Sequence, residues 1–113
     1  MINERMEARL QELRTDANDF AAAYAEQKYL EEYRKSLLAI LMKKYESVGF
    51  NQVTAQEREA RADKEYVELL ANLRTATEKS ERLRWNLEVS KMGVAVWQTT
   101  QANERAERKV YGA

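Results

Sequence analysis

The apolar residues in the second half of the chain recur with the spacing of a coiled coil. Counting from Ala62, the apolar and small positions are separated alternately by four and three residues as far as Trp97. An average step of 3.5 residues keeps one edge of a helix facing a partner helix. The pattern therefore predicts one long helix, from about residue 54 to about residue 110. Its seam consists of Tyr66, Leu69, Leu73, Ala76, Ser80, Leu83, Leu87, Ser90, Val94, Trp97 and the polar end position Gln101.

The first half of the chain has a similar pattern with a change of register near Gln27. Such a change alters the supercoil locally without ending a helix, so we predict a first helix from about residue 2 to residue 48. The stretch Thr15–Asp19 is its weakest part, because short polar side chains compete for backbone hydrogen bonds, and a break there is the alternative. The predicted seam positions are Met6, Leu10, Leu13, Ala17, Phe20 and Tyr24, followed by Leu30, Tyr33, Leu37, Leu41, Tyr45 and Val48.

Two local signals between these helices predict a tight connection at residues 49–53. Gly49 suits the left-handed conformation in which many helices end. Thr54 and Glu57 have the spacing of a capping box, in which each side chain accepts a hydrogen bond from a backbone N–H at the start of a helix. A connection this short favours an antiparallel return of the chain. We therefore predict an all-α fold: one domain over residues 1–113, built as a long antiparallel helical hairpin of coiled-coil type.

The second helix carries another apolar stripe, which we call the outer stripe. Its four residues step by four, three and four, and at about 100° per residue they lie opposite the seam. A single partner helix covers only one side of the second helix. Self-association into a homodimer with a four-helix bundle is the simplest way to cover the other side, so we predict that the stripe is an oligomer interface anchored by its tryptophan. The outer stripe is Trp85, Val89, Met92 and Val96.

The composition argues against chemistry by the common side-chain catalysts. The chain contains neither cysteine nor histidine, which removes disulfides, thiolate nucleophiles and imidazole as a base or metal ligand. Its acidic residues alternate with basic ones in the manner typical of a solvated, salt-bridged helix surface. We therefore expect that the protein is not an enzyme, and that it has no catalytic residues, no cofactor and no metal site.

Charge and hydropathy bear on where the protein acts. The formal net charge is zero, and the longest apolar run, residues 37–42, is too short to span a bilayer. The first residues alternate charged with apolar side chains and lack the apolar core of a signal peptide. These features favour a cytoplasmic protein without membrane association.

Four basic residues of the first helix are concentrated near the predicted turn, with tyrosines among them. Cationic side chains interleaved with aromatic rings can bind single-stranded nucleic acid by charge and stacking. The competing interpretation, which we favour, places the tyrosines in the seam and pairs the lysine and arginine side chains with nearby glutamates. Nucleic-acid binding is therefore the alternative function. We call these four residues the basic tip: Arg34, Lys35, Lys43 and Lys44.

Several short segments together resemble a known group of proteins. They are Tyr29–Ser36 (YLEEYRKS), Thr54–Ala60 (TAQEREA), Tyr66, Glu81–Trp85 (ERLRW) and Trp97. This combination resembles small helical accessory proteins of temperate bacteriophages, found among DNA recombination and replication genes, and the likeness covers about residues 24–108. The resemblance implies a phage accessory factor in the cytoplasm of the host cell, acting by protein–protein interaction on a protein of DNA recombination, replication or host defence. It assigns no functional residues.

Overall fold

The computed structural model describes residues 4–111, and 94% of these are helical. This part of the chain contains three helices and no strand: α1 (Glu4–Ser47), α2 (Val53–Ala62) and α3 (Lys64–Tyr111). The predicted all-α helical hairpin is confirmed. The predicted start of the first helix, near residue 2, lies outside the described residues. Because α1 runs unbroken through Thr15–Asp19, the alternative of a break there is wrong.

The end of α1 has the geometry that its glycine predicts. Gly49 has a φ of 115°, in the left-handed region that other residues adopt only with strain. The Gly49 N–H donates to the Glu46 carbonyl at 3.2 Å, and the Phe50 N–H donates to the Tyr45 carbonyl at 3.0 Å. The rings of Phe50 and Tyr45 then pack edge to face, with centroids 5.9 Å apart. These bonds satisfy carbonyls that the end of a helix would otherwise leave unpaired.

The predicted capping box at Thr54 is wrong. The helix begins at Val53, with Gln52 at the N-cap position and no side-chain capping bond. Thr54 therefore lies inside the first turn, where its hydroxyl cannot act as the N-cap acceptor. The connection is fixed instead by Gln56, which is 7% exposed and donates through its side-chain amide to the Phe50 carbonyl at 2.8 Å.

The second predicted helix is interrupted at Asp63, so the prediction of a single helix over residues 54–110 is wrong. Asp63 has extended backbone angles, and its N–H donates to the Ala60 carbonyl at 3.2 Å. Its own carbonyl accepts from the Val67 N–H at 3.0 Å, and its Oδ1 accepts from the Glu65 N–H at 2.9 Å. Asp63 thus ends α2 and acts as the N-cap of α3, a position in which aspartate is among the preferred residues.

The chain divides into two compact units. The turn unit is Ala22–Ser80, and the terminal unit combines Met1–Ala21 with Glu81–Ala113. The core of the turn unit draws on all three helices, and half-buried Leu30, Leu38, Met42 and Tyr45 pack against it. Its buried members are Leu37, Leu41, Ala60, Tyr66 and Leu69. Leu37 and Leu41 of the first predicted seam thus share a core with Tyr66 and Leu69 of the second predicted seam.

In the terminal unit, α1 and α3 pack in antiparallel order. The Ser90 hydroxyl donates to Oδ2 of Asp16, and the guanidinium of Arg9 lies against the backbone of Gly93. A Cβ at position 93 would lie only 2.6 Å from Arg9 Nη1, so a glycine allows this close approach. Met6, 6% exposed, is the buried apolar residue at the start of α1.

The side of α1 that faces its partner differs in part from the predicted seam. Ala17 is exposed, and Tyr24 and Tyr33 are 45% and 40% exposed. The inward positions continue through Gln27 without a slip, because the change of register falls earlier, between Leu13 and Asp16. Ala23 lies on the inward side in place of Tyr24, and Arg34 lies there in place of Tyr33. The inward residues that the pattern missed are Asp16, Ala23, Gln27 and Arg34.

Candidate interaction surface

The outer stripe forms one exposed apolar face of the terminal unit. Its four side chains are each about two-thirds exposed, whereas the seam residues Leu83, Leu87 and Val94 on the same helix are half-buried. The chain itself therefore covers the seam side of α3 and leaves the stripe open. The exposed fractions are 64% for Trp85, 63% for Val89, 65% for Met92 and 65% for Val96.

The polar contact between α1 and α3 fixes which side of α3 faces outward. Ser90 donates to Asp16 of α1, so the side of α3 that carries Ser90 faces its partner. Met92 is two residues further on, which corresponds to a rotation of about 200° around the helix. The hydrogen bond of Ser90 therefore turns Met92, and with it the outer stripe, away from α1.

A charged pair lies beside the tryptophan at the start of the stripe. The guanidinium of Arg84 is 5.8 Å from the centroid of the Trp85 ring, a distance typical of a cation–π contact. Glu81 accepts a hydrogen bond from Nη2 of Arg84 at 2.6 Å, which raises the pKa of Arg84. The guanidinium of Arg84 therefore contacts both the Glu81 carboxylate and the Trp85 ring.

The structure does not bring the basic tip together on one face. At about 100° per residue, the four side chains leave α1 in four different directions, over about 15 Å of helix. Lys35 donates to Glu32 at 3.2 Å, and Lys44 donates to Asp63 at 3.3 Å. Arg34 is half-buried on the inward side of α1, and Lys43 is exposed. Two of the four cations are therefore paired with carboxylates.

The carboxylate of Asp63 is a junction between helices that the hydrophobic pattern did not predict. Its side chain is only 8% exposed, and its Oδ2 accepts from the Tyr45 hydroxyl at 2.7 Å as well as from Lys44. These hydrogen bonds, that of Tyr45 first, lower the pKa of Asp63, and the same contact raises the pKa of Tyr45. The sequence feature that could have indicated the interruption is an aspartate, a preferred N-cap residue, inside an otherwise uniform helical pattern. Asp63 ties the end of α1 to the start of α3, which is a structural role.

A pair of stacked tyrosines forms a second exposed face, on α1 in the turn unit. The ring centroids of Tyr29 and Tyr33 are 6.1 Å apart with an interplanar angle of 7°, and the residues are 62% and 40% exposed. Ile40, 59% exposed, lies on the same side of the helix seven residues beyond Tyr33. Tyr33 was predicted in the seam, although the spacing of Tyr29, Tyr33 and Ile40 is that of a separate helix face.

Within residues 4–111, no group of three or more acidic side chains is placed to hold a metal ion. None of the helices in the described part of the chain combines the length and apolar character needed to cross a bilayer. A comparison of the chain with protein-family models, curated proteins and solved structures finds no match.

Proposed function

We propose that the protein is a non-enzymatic interaction protein, a helical hairpin that forms a homodimer through the outer stripe. The main support for this proposal is the exposure of four apolar side chains on one continuous face of α3. Soluble monomers rarely keep an apolar strip of this kind in contact with water. A two-fold pairing of the strip with itself covers both copies with a single surface.

The size of the stripe is compatible with a reversible dimer. Complete burial of one valine or methionine side chain contributes about 1.5–3 kcal/mol. Covering the exposed two-thirds of four side chains in both copies therefore contributes on the order of 10 kcal/mol. The loss of translational and rotational freedom costs about 4–15 kcal/mol. Because these amounts are comparable, we expect association that depends on concentration and is sensitive to the loss of one side chain.

The proposed dimer acts as an accessory factor on another protein. The resemblance to phage accessory proteins supports a cytoplasmic role in DNA recombination, replication or host defence. The exposed Tyr29–Tyr33 pair is the surface that we assign to this partner, because tyrosine is enriched at protein interfaces. This surface belongs to the turn unit, whereas the outer stripe belongs to the terminal unit, so substitutions test the two separately.

Binding of single-stranded nucleic acid through the basic tip is supported less well. The four cations diverge around α1, and two of them are paired with Glu32 and Asp63. A groove that tracks a phosphate backbone needs cations that converge on one surface. We therefore keep nucleic-acid binding as a prediction to be tested and not as a second function.

Polar substitutions in the stripe test the proposed dimer. Val89→Ser with Val96→Ser removes apolar surface, while serine and valine have similar helix propensities. We expect light scattering at about 100 μM to give the mass of two chains for the natural sequence and of one chain for the double variant. The matched control is Val67→Ser, an exposed valine of α3 in the turn unit, which should remain dimeric. A dimeric double variant of unchanged helicity, or a monomeric natural chain, would contradict the proposal.

A further inference from the structure

The outer stripe differs in size from one end to the other. Trp85, the largest side chain, lies at its start, and the small Val96 lies at its end. In a parallel pairing each residue meets its own copy, so two indoles share one layer and two valines share another. In an antiparallel pairing Trp85 meets Val96, and Val89 meets Met92, which gives layers of similar volume. Protein interfaces pack to a uniform density, so the size gradient favours the antiparallel arrangement.

The residues just beyond the stripe favour the same orientation. Arg82 precedes Trp85 by three residues, Thr99 follows Val96 by three, and both are exposed. They therefore occupy the next layers of the same helix face. A parallel pairing would place two Arg82 side chains in one layer, where like charges repel. An antiparallel pairing places each Arg82 beside the neutral Thr99 of the other copy.

The flanks of the stripe also fit an antiparallel pair. Glu81 and Glu88 lie on one flank, seven residues apart, and Ala95 and Ala102 continue the same flank. In antiparallel order each glutamate lies opposite an alanine of the other copy, so no like charges meet along this edge.

We propose that two copies of α3 pair antiparallel, around a two-fold axis between Val89 and Met92. Trp85 of one copy packs against Val96 of the other, and Arg82 lies beside Thr99. The proposal rests on the proposed dimer and specifies its geometry. In this geometry a second copy of the chain covers the stripe.

Disulfide formation between single-cysteine variants tests the orientation, because the chain contains no cysteine of its own. In the proposed geometry Arg82 lies level with Thr99 of the other copy but about 25 Å from its own copy along the axis. A disulfide needs Cα atoms within about 7 Å. An equimolar mixture of Arg82→Cys and Thr99→Cys in a thiol–disulfide buffer should therefore give the mixed disulfide as its main product, and neither variant alone should give a covalent dimer.

The outcomes separate the orientation from the proposed dimer. Self-linked Arg82→Cys or Thr99→Cys would show a parallel pair and overturn the inference while leaving the dimer intact. Reduced variants that have the mass of two chains but give no mixed disulfide would also overturn it. Reduced variants with the mass of one chain, together with a monomeric natural chain, would refute the proposed function itself. The control Val67→Cys, in the turn unit, should not link to either variant.

Discussion

Replacing Leu41 by alanine tests the packing of the turn unit most sharply. Leu41 is 2% exposed and packs with Leu37, Ala60 and Tyr66, residues from all three helices. Truncating a fully buried leucine costs about 2–5 kcal/mol, which combines lost apolar burial with the cavity that remains. Because three helices hold the walls of this site, we expect limited collapse and a loss of about 3 kcal/mol in the free energy of unfolding.

The adjacent residue provides a matched control. Ile40 is also a large aliphatic residue of α1, but it is 59% exposed. Ile40→Ala loses less than half of the roughly 2 kcal/mol that full burial contributes, and the higher helix propensity of alanine returns a few tenths of that. Urea unfolding followed by circular dichroism, at one protein concentration for all variants, gives the comparison. Equal losses for the two variants would refute the assigned inward face of α1.

Three further predictions concern the connection, the junction and the basic tip. Gly49→Ala should lower stability by about 1 kcal/mol without exposing new surface, because alanine is strained at a φ of 115°; an unchanged urea midpoint would contradict this. The lowered pKa of Asp63 implies stability that is present above the ordinary value of 3.8 and lost as the pH falls through the lower folded value. The raised pKa of Tyr45 implies stability that is present below pH 10.0 and lost as the pH rises through the higher folded pKa. In a plot of stability against pH, Asp63→Asn should therefore reduce the loss of stability that Tyr45 causes at high pH and remove the loss that Asp63 causes at low pH. If nucleic acid binds at the basic tip, the natural chain should shift labelled single-stranded DNA at low salt, and changing all four cations to glutamate should abolish the shift; no shift in the natural chain ends that alternative.

The features that could be predicted from the sequence depend on local geometry. A period of 3.5 residues is sufficient to indicate long helices with one apolar edge. A glycine at the end of such a pattern indicates a left-handed turn, and Gly49 has that conformation. The outer stripe was predicted for the same reason, because rotation along a helix alone places its residues opposite the seam.

The features that could not be predicted depend on partners across the helices. Asp16 faces inward because Ser90 of α3 donates a hydrogen bond to it, and a hydrophobic pattern gives no weight to such a pair. Asp63 interrupts the helix while its carboxylate accepts from Tyr45, eighteen positions earlier in the chain. Periodicity identifies the face of a helix, but residue size and polar pairing decide its register.

Sedimentation equilibrium of the natural chain and of Trp85→Ala determines whether the outer stripe holds two copies together. We predict a natural-chain mass that approaches twice 13.2 kDa at about 100 μM, with dissociation on dilution. Trp85→Ala should weaken association by about 2–4 kcal/mol, roughly 30- to 700-fold in Kd, while circular dichroism shows unchanged helicity. A natural chain that sediments as 13.2 kDa at every concentration, with its helices intact, would contradict the claim.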